Sequence, residues 1–282
     1  KPTSFMALRL ASLALQWLVS EGQYDFDGKP FPNPLKTTDA NSRAVAYPSL
    51  AQYVIKWTSK WTDDWTTVAT VGLTNDESVS RYWREEDMAD AGQNFFNTSR
   101  KQLIFQSDLR LGRDVLSVWA EQRDDNVSSS AAYPVTHRVV RGFAASYALK
   151  RDVWDSLMTV RRDRNSQFGD FNNWAVSAGY KITDRVRLVG GFGTAFQAPT
   201  FNQLYYPGFG NPYLTPQRGR ANEIGLRYHK EKTQLGFIFY RNEINGFVTP
   251  STNVQSNLAV LSGATITLDQ KIGETSVALS YD

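Results

Sequence analysis

The sequence contains no cysteine among its 282 residues. Disulfides, thiolate metal sites and cysteine nucleophiles are therefore excluded. Histidine is almost as scarce, because His137 and His229 are the only two and lie far apart in the chain. Neither has the neighbouring ligands that a zinc site needs, so we expect neither to bind a metal.

Long hydrophobic runs and a strong charge are also missing. The mean hydropathy is −0.43. No stretch reaches the roughly 18 apolar residues of a membrane helix, so no transmembrane helix is expected. The 31 basic and 28 acidic side chains leave a net charge of only +3. Because nucleic-acid binding needs a concentrated basic patch, nucleic acid is not an expected partner.

Sequence motifs of enzymes are absent as well. The chain has neither the G-x-S-x-G turn of a nucleophilic serine nor a phosphate-binding P-loop. The glycines of Gly190–Gly193 lie inside an alternating segment with no helix after it. They are therefore expected to relieve crowding on a strand rather than to bind a dinucleotide. We predict that the protein is not an enzyme.

Aromatic residues, in contrast, are abundant. Eight Trp, 13 Tyr and 16 Phe make up 13% of the chain. Trp and Tyr favour places where one end of the ring is apolar and the other is wet.

Large apolar residues also alternate with polar ones: Trp65, Ala69 and Val71 share one parity, and Thr66 and Thr70 the other. This period of two is typical of half-buried strands.

The alternation predicts an all-β fold of about thirteen strands. Residues 6–19 are apolar on both parities and could form a buried helix, but we assign the segment 5–22 to a strand because its neighbours are strands. The predicted strands are 5–22, 50–61, 64–80, 98–111, 114–123, 138–149, 152–164, 172–183, 185–196, 220–230, 232–248, 258–269 and 274–282.

The predicted connections alternate between short turns and long polar loops. The long loops cover residues 23–49, 81–97, 124–137, 197–219 and 249–257. Outer-membrane barrels have short turns at one end and long loops at the other. Many predicted strands also exceed ten residues, and a tilted membrane strand needs about 9–11 for its apolar part. We therefore predict a transmembrane antiparallel β-barrel, with one parity facing outer-membrane lipid and the other a wet interior.

Three other all-β proteins are alternatives to this prediction. They are a soluble all-β binding domain, a passive porin with fewer strands, and a barrel enzyme such as a lipase or protease. The enzyme would need a nucleophile and a base together, and no segment supplies that pair. A membrane barrel must close to satisfy its backbone in lipid. Thirteen is an odd number, and residues 280–282 read as the middle of a strand. We therefore expect further strands outside this chain.

Acidic residues cluster in two of the long loops. Asp25, Asp27 and Asp39 lie in the loop 23–49, and a second group occupies residues 85–90. Oxygen ligands on flexible loops suit calcium, although neither group has the spacing of an EF-hand. A solvated acidic loop is the alternative interpretation.

One long segment identifies a family. Residues 193–205 (GTAFQAPTFNQLY), followed by 210–216 (GNPYLTP) and Glu223, resemble the barrel signature of TonB-dependent outer-membrane transporters. Two positions depart from it: Gln197 stands where the family usually has a basic residue, and Gln217 where it has an acidic one. Neither change affects the fold that the resemblance implies.

The resemblance implies the outer membrane of a Gram-negative bacterium and a 22-stranded barrel. Residues 1–282 would be an internal piece of that barrel, with about four strands before it and about five after it. The N-terminal plug domain has no match in this chain. Members of the family import scarce nutrients without covalent catalysis, and the TonB energy-coupling complex acts through the plug.

Within the family, residues 163–169 (DRNSQFG) and 240–244 (YRNEI) resemble the cobalamin-transporting branch. This resemblance implies binding and import of a scarce nutrient such as cobalamin. A receptor for a siderophore or another iron complex, and a passive porin, are the alternatives. Outer loops of the cobalamin branch bind calcium, and two of the ligand aspartates align with Asp25 and, more loosely, Asp39.

The aromatic loop after the signature supplies the candidate substrate contacts. Large rigid rings bury much area at a low cost in conformational entropy. The alternative is that these rings pack against a neighbouring loop. The candidates are Tyr205, Tyr206, Phe209 and Tyr213, with Asn202 and Gln203 as polar contacts.

Overall fold

The fold is a single antiparallel sheet, as the computed structural model of residues 10–25, 42–84, 90–272 and 275–281 shows. Thirteen strands form one path in which each strand pairs with the next along the chain, and the two-residue β2 pairs with β3 beside it. The strands are β1 (Leu10–Glu21), β2 (Tyr24–Asp25), β3 (Ser42–Lys60), β4 (Trp65–Arg84), β5 (Asp90–Leu111), β6 (Asp114–Ser129), β7 (His137–Lys150), β8 (Trp154–Asn165), β9 (Gly169–Lys181), β10 (Val186–Gln197), β11 (Gln217–Lys230), β12 (Thr233–Asn245), β13 (Leu258–Ile272) and β14 (Thr275–Tyr281).

These strands confirm the predicted all-β fold, and the ambiguous first segment is a strand from Leu10 onward. Within the described ranges, the one helix is α1 (Phe201–Tyr205). None of the described residues forms a helix with the length and hydropathy that crossing a bilayer requires. Short turns join the strands at one end of the sheet, which we call the turn end. The longer connections lie at the opposite end, the loop end, where the short connection between β8 and β9 is the exception.

Three predicted loops are partly wrong, because β3 to β6 are longer than expected. The strand β3 begins at Ser42, β4 continues to Arg84 and β5 begins at Asp90. Backbone pairing continues there although the side chains are polar on both faces, as in the pair Arg81 and Gln93. Hydrophobic alternation disappears where both faces are wet, so a sequence pattern based on it ends too early.

One face of the sheet carries an apolar band of limited height. On β4 the band runs from Trp65 to Leu73, and Asn75 follows on the same face. On β8 it runs from Trp154 to Val160. A band of seven to nine residues fits tilted strands that cross the hydrocarbon part of a membrane. This is the outward face, and the opposite, more polar face is the interior face.

Tryptophans mark the edge of the apolar band at the turn end. The indole nitrogen of Trp61 donates to Thr67 Oγ1 at 2.8 Å, and that of Trp65 donates to Ser107 Oγ at 2.9 Å. Each ring thus satisfies its one polar group while the rest of the ring stays apolar. Such side chains suit the boundary between lipid and water.

The interior face carries ion pairs in place of an apolar core. Arg161 donates to Glu121 Oε2 at 2.8 Å and to Asp163 Oδ1 at 2.7 Å. Gly142 lies opposite, and a Cβ there would approach the Arg161 guanidinium to 2.5 Å. The glycine therefore makes room for a large charged side chain. In the same way, a Cβ at Gly191 would lie 3.1 Å from Glu223 Oε1. Gly191 therefore relieves crowding on its strand, as expected for the glycines of this segment.

A polar clasp joins β6, β7 and the turn that follows β7 at the turn end, outside the apolar band. The Asp114 side chain, 11% exposed, accepts hydrogen bonds from the Arg151 guanidinium at 2.5 Å, the Lys150 backbone N–H at 3.0 Å and the Tyr147 hydroxyl at 3.1 Å. The hydrogen bond from Arg151, followed by that from Lys150, holds the pKa of Asp114 well below its usual range. The clasp is therefore charged at neutral pH.

Candidate ligand-binding site

The candidate site begins with α1, the short helix in the loop between β10 and β11. Pro199 precedes its N-cap residue, Thr200. Thr200 Oγ1 accepts from the Gln203 backbone N–H at 3.1 Å, and Gln203 Oε1 accepts from the Thr200 backbone N–H at 2.9 Å. This reciprocal capping box satisfies donors that a helix N-terminus leaves free. It explains why five residues between two strands form a helical turn.

Two small hydrophobic clusters anchor α1 to two neighbouring connections. Phe201 packs with Val127 and Tyr133, on β6 and the loop that follows it. Leu204 packs with Leu214 and with Val248, which belongs to the loop between β12 and β13. Since Phe201 and Leu204 are 8% and 2% exposed, the helix buries one side of its single turn.

A glutamine connects α1 to β7. Gln167 Oε1 accepts from Arg138 Nε at 3.0 Å and NH2 at 2.6 Å, and Gln167 Nε2 donates to the Tyr205 hydroxyl at 2.7 Å. The Arg138 guanidinium carbon also lies 5.2 Å from the Phe168 ring centre and 4.7 Å from that of Phe201. Burial lowers the pKa of Arg138, but the ordinary value is so high that the group stays charged.

The loop between β12 and β13 holds the other side of the α1 loop. Asn253 Nδ2 donates to the backbone oxygens of Gln203 at 2.6 Å and Phe209 at 2.9 Å. Its φ of 53° is left-handed, a conformation that asparagine tolerates better than most residues. Gln255 Nε2 donates to the Thr215 backbone oxygen at 2.8 Å. We call residues 198–216 and 246–257, with the loop 130–136, the loop cluster.

A cavity of about 830 Å³ extends from the loop cluster along the interior face. Thr200 and Phe201 line its loop end. Paired charges form part of its wall, since Arg100 and Arg123 contact Asp125 at 2.6 and 3.1 Å. The cavity therefore combines a charged wall, in which two arginines share one aspartate, with a cover that has no charged side chain, because the loop cluster contains no Asp, Glu, Lys or Arg.

The structure separates the six predicted substrate contacts into two groups. Asn202 Oδ1 accepts from the Tyr133 hydroxyl at 2.8 Å, Gln203 forms the capping box, and Tyr205 bonds Gln167. Asn202 and Tyr205 thus join separate connections, as in the packing alternative, whereas Gln203 caps its own helix. Ligand contact stays a prediction for all six residues, and the rings of Tyr206, Phe209 and Tyr213 are 49%, 40% and 88% exposed.

Sequence reasoning missed four residues that build the site: Tyr133, Arg138, Gln167 and Asn253. Arg138 and Tyr133 are 5% and 9% exposed, although both stand in polar-looking segments. Their partners are 29 and 69 residues away along the chain. The single hint in the sequence is the absence of charge around Asn253, which is unusual for a long loop.

The two predicted calcium ligands, Asp25 and Asp39, lie largely outside the described residues. The backbone of Asp25 pairs with Val45 at the end of β2. The Asp25 side chain and the whole of Asp39 lie outside the described residues. Among the described side chains, no group of three or more His, Asp and Glu is arranged to hold a metal ion. Calcium therefore stays a prediction.

Comparison with known proteins identifies the class of protein. The family model described as TonB dependent receptor-like, beta-barrel, matches residues 8–276. The chain therefore belongs to the TonB-dependent receptor family and forms part of its β-barrel. It is an outer-membrane protein of a Gram-negative bacterium, and its family consists of receptors and transporters. The recognition made from residues 193–223 is confirmed.

Two curated relatives carry the same name. The chain is 31% identical over 143 residues to the vitamin B12 transporter BtuB of Vibrio vulnificus, a match that covers 51% of this chain and 21% of that protein. It is 34% identical over 104 residues to BtuB of Photobacterium profundum, covering 37% of this chain and 17% of that protein. The matched parts thus span about a fifth of these relatives.

A solved structure agrees in fold. The ferric-catecholate import receptor Fiu of E. coli K12 superposes with a TM-score of 0.70 at 12% identity, covering 96% of this chain and 55% of Fiu. At this identity the likeness concerns the fold alone. The chain spans about half the length of that receptor.

Proposed function

We propose that this chain is part of the wall and outer loops of an active transporter that imports cobalamin or a closely similar corrinoid. In this proposal the loop cluster captures the ligand above the cavity. The TonB complex then drives import through a plug domain. The observation that carries the proposal is the uncharged loop cluster with three exposed rings, Tyr206, Phe209 and Tyr213, above a polar cavity.

The chemistry of the loop cluster favours a neutral ligand. Cobalamin is a bulky corrinoid whose periphery carries neutral amide groups, so aromatic faces and backbone amides suffice to bind it. An anionic ferric siderophore would gain most from arginine or lysine side chains. None stands in residues 130–136, 198–216 or 246–257. The name of the two curated relatives also supports cobalamin.

An iron-complex receptor of the same family is the second candidate. The observation that favours it is the similarity of the fold to Fiu, whose name specifies ferric catecholates. The basic residues Arg100, Arg123 and Arg138 line the cavity, but carboxylate or glutamine partners occupy their guanidinium groups. The cavity therefore supports an anionic ligand less well than its arginine content suggests.

A binding experiment with the complete protein tests the proposal. Cells that lack their own cobalamin receptor express the full gene, and uptake of labelled cyanocobalamin is compared with that of a ferric catecholate. We expect saturable, TonB-dependent cobalamin uptake. Replacing Tyr206, Phe209 and Tyr213 together with alanine should weaken binding by roughly tenfold or more, because each ring contributes apolar contact area.

The control for that variant is an exposed aromatic residue away from the loops. Tyr180 is 51% exposed at the turn end of β9, and Tyr180→Ala should leave uptake unchanged. Uptake of the ferric catecholate but not cobalamin would contradict the proposal. So would uptake of small sugars without TonB, which would indicate a passive porin.

Calcium is a separate part of the proposal and rests on Asp25 and Asp39. If these aspartates are ligands, Ca²⁺ orders the loop that contains them and strengthens cobalamin binding. The expected result is a tighter cobalamin affinity with Ca²⁺ than with a chelator, and a smaller difference in Asp25→Asn. Equal cobalamin affinity with Ca²⁺ and with the chelator would contradict the calcium site and leave the transport proposal intact.

A further inference from the structure

A cluster of basic side chains lies on the outward face just beyond the apolar band. Arg162 follows Val160 by two residues on β8, and Arg164 by four. Arg141 occupies the same level on β7, since it pairs in register with Arg164, and Phe143 pairs with Arg162. At about 3.4 Å per residue, the first arginine lies roughly 7 Å above the last apolar residue of β8. We call Arg141, Arg162 and Arg164 the outer arginine cluster.

The guanidinium groups of this cluster are open to the surroundings. The side chains of Arg162 and Arg164 are 68% and 80% exposed. Asp170 pairs with both, at 2.8 Å from Arg162 and 3.7 Å from Arg164. Arg141 donates to Gln122 Oε1 at 3.1 Å. Each arginine has five N–H donors, so many donors of the three groups stay available.

The charges in this region do not cancel. Lys101 lies on β5, two strands from Arg141, and pairs in register with Asp124, which also lies 3.8 Å from His137. Lys101 and the three arginines therefore carry four positive charges against the two carboxylates of Asp124 and Asp170. The excess of two positive charges sits at the level where lipid headgroups begin, because the apolar band ends immediately below it.

An apolar groove of about 310 Å³ lies directly beneath the arginines. Phe143, Val160 and Trp174 line it from three neighbouring strands, and they are 60%, 60% and 48% exposed. Arg162 and Asn172 form its upper border. The surface thus has an apolar lower part and a cationic upper part, an arrangement that matches a lipid with a phosphorylated headgroup.

The orientation of the sheet selects the lipid. Long loops of outer-membrane barrels point to the cell exterior, so the loop end faces the outer leaflet. The lipid of that leaflet in Gram-negative bacteria is lipopolysaccharide, whose lipid A part carries phosphates on a disaccharide. We propose that the outward face of β7, β8 and β9 binds one lipid A headgroup, with its phosphates on the outer arginine cluster and acyl chains over Phe143, Val160 and Trp174.

Native mass spectrometry of the complete protein tests this site. The protein is purified from outer membranes, freed of lipid in detergent, and titrated with lipid A. Arginine holds phosphate through paired charged hydrogen bonds, and each basic residue near an anionic lipid surface contributes about 1 kcal/mol. The variant R141Q/R162Q/R164Q should therefore bind lipid A roughly 10- to 100-fold more weakly than wild type.

A matched control removes the same charge at the other end of the barrel. The variant R185Q/K230Q/K232Q loses three exposed cations near the turn end and should bind lipid A like wild type. Equal weakening of both variants would overturn the site, because it would show a general effect of net charge. Unchanged binding by R141Q/R162Q/R164Q would overturn it as well.

Two further arms use the wild-type protein and so do not depend on the folding of a variant. Lipid A with both phosphates removed should bind roughly tenfold more weakly or worse, since it cannot engage the arginines. Phosphatidylglycerol has acyl chains but only one phosphate to share among three arginines, and inorganic phosphate has no acyl chain, so both should bind more weakly than lipid A. Equal affinity for lipid A and phosphatidylglycerol would contradict the assignment to the outer leaflet.

Discussion

Tyr133 and Asn202 are 69 residues apart in the chain and meet through one hydrogen bond of 2.8 Å. The tyrosine belongs to the loop after β6 and the asparagine to α1 after β10, so the bond joins two separate connections. The Tyr133 ring also meets the rings of Phe96 and Tyr205, with centres 5.9 and 6.3 Å away. The loop cluster is thus a packed unit, and the exposed rings of Tyr206, Phe209 and Tyr213 are attached to it.

Replacing Tyr133 with phenylalanine should loosen α1 without removing the ring. The change leaves Asn202 Oδ1 without its donor and should cost about 1 kcal/mol. Hydrogen exchange of residues 200–206 in the complete protein is expected to speed up, while the strands stay protected. Tyr213→Phe is the matched control, since that ring is 88% exposed. Equal exchange in both variants would show that the bond does not hold the helix.

Asn253 should be the most sensitive position of the loop between β12 and β13. Asn253→Gly keeps the left-handed backbone but removes both bonds to Gln203 and Phe209, so faster exchange of residues 203–210 is expected. Asn253→Asp should be worse, because it places a carboxylate against two carbonyl oxygens in a site that is 2% exposed. If the aspartate variant were the milder one, the donor role of Asn253 would be wrong.

Asp114 should make the turn end sensitive to acid. Its pKa is lower in the folded protein than in the unfolded chain, so the charged clasp stabilises the fold above the unfolded pKa of about 3.9. That contribution decreases as the pH falls through the folded value. Asp114→Asn should therefore lower the melting temperature in detergent at pH 7, and the difference from wild type should shrink below pH 4.

The control for the clasp is Asp152, which pairs with Arg113 at 2.7 Å but is 86% exposed. Exposed pairs contribute little to stability, so Asp152→Asn should melt like wild type at both pH values. A pH-independent loss in Asp114→Asn would mean that packing, and not charge, explains the effect of the substitution.

Gly142 should tolerate no side chain, because Arg161 occupies the space beside it. A Cβ would lie 2.5 Å from Arg161 NH2 and 2.6 Å from Asp163 Oδ1, atoms that are already paired with each other. Gly142→Ala should cost about 1–3 kcal/mol through overpacking, measured by thermal unfolding in detergent. Gly72→Ala is the control, since its nearest neighbour would be Gln102 Cβ at 3.8 Å. Equal melting of the two variants would contradict the close packing at Arg161.

The sequence pattern predicted the strands well where lipid and water face opposite sides of the sheet. Segments such as Leu235–Phe239 alternate because the two faces meet different solvents, and the pattern identifies them without tertiary information. The prediction was wrong beyond the apolar band, for example at Arg81 and Gln93, which pair in register although they lie in a predicted loop, because both faces are wet there. The family signature of residues 193–216 identified the class of protein and the position of the candidate site.

The internal bonds of the site were beyond sequence reasoning. Whether Tyr205 faces a ligand or Gln167 depends on which loops meet, and the partners come from four different connections. Tyr206 and Tyr205 are adjacent and chemically identical, yet one is exposed and the other is hydrogen-bonded. Only the three-dimensional arrangement of the loops distinguishes them.

The central claim is that the apolar face of the sheet contacts lipid and the polar face contacts water. Because the chain has no cysteine, single cysteines at positions 235 to 241 of β12 can carry a nitroxide spin label in the complete, membrane-inserted protein. Collisions with oxygen, which is enriched in lipid, should peak at Leu235, Phe237 and Phe239. Collisions with a water-soluble nickel chelate should peak at Gly236, Ile238 and Tyr240. The opposite assignment, or no alternation at all, would contradict the membrane-spanning barrel.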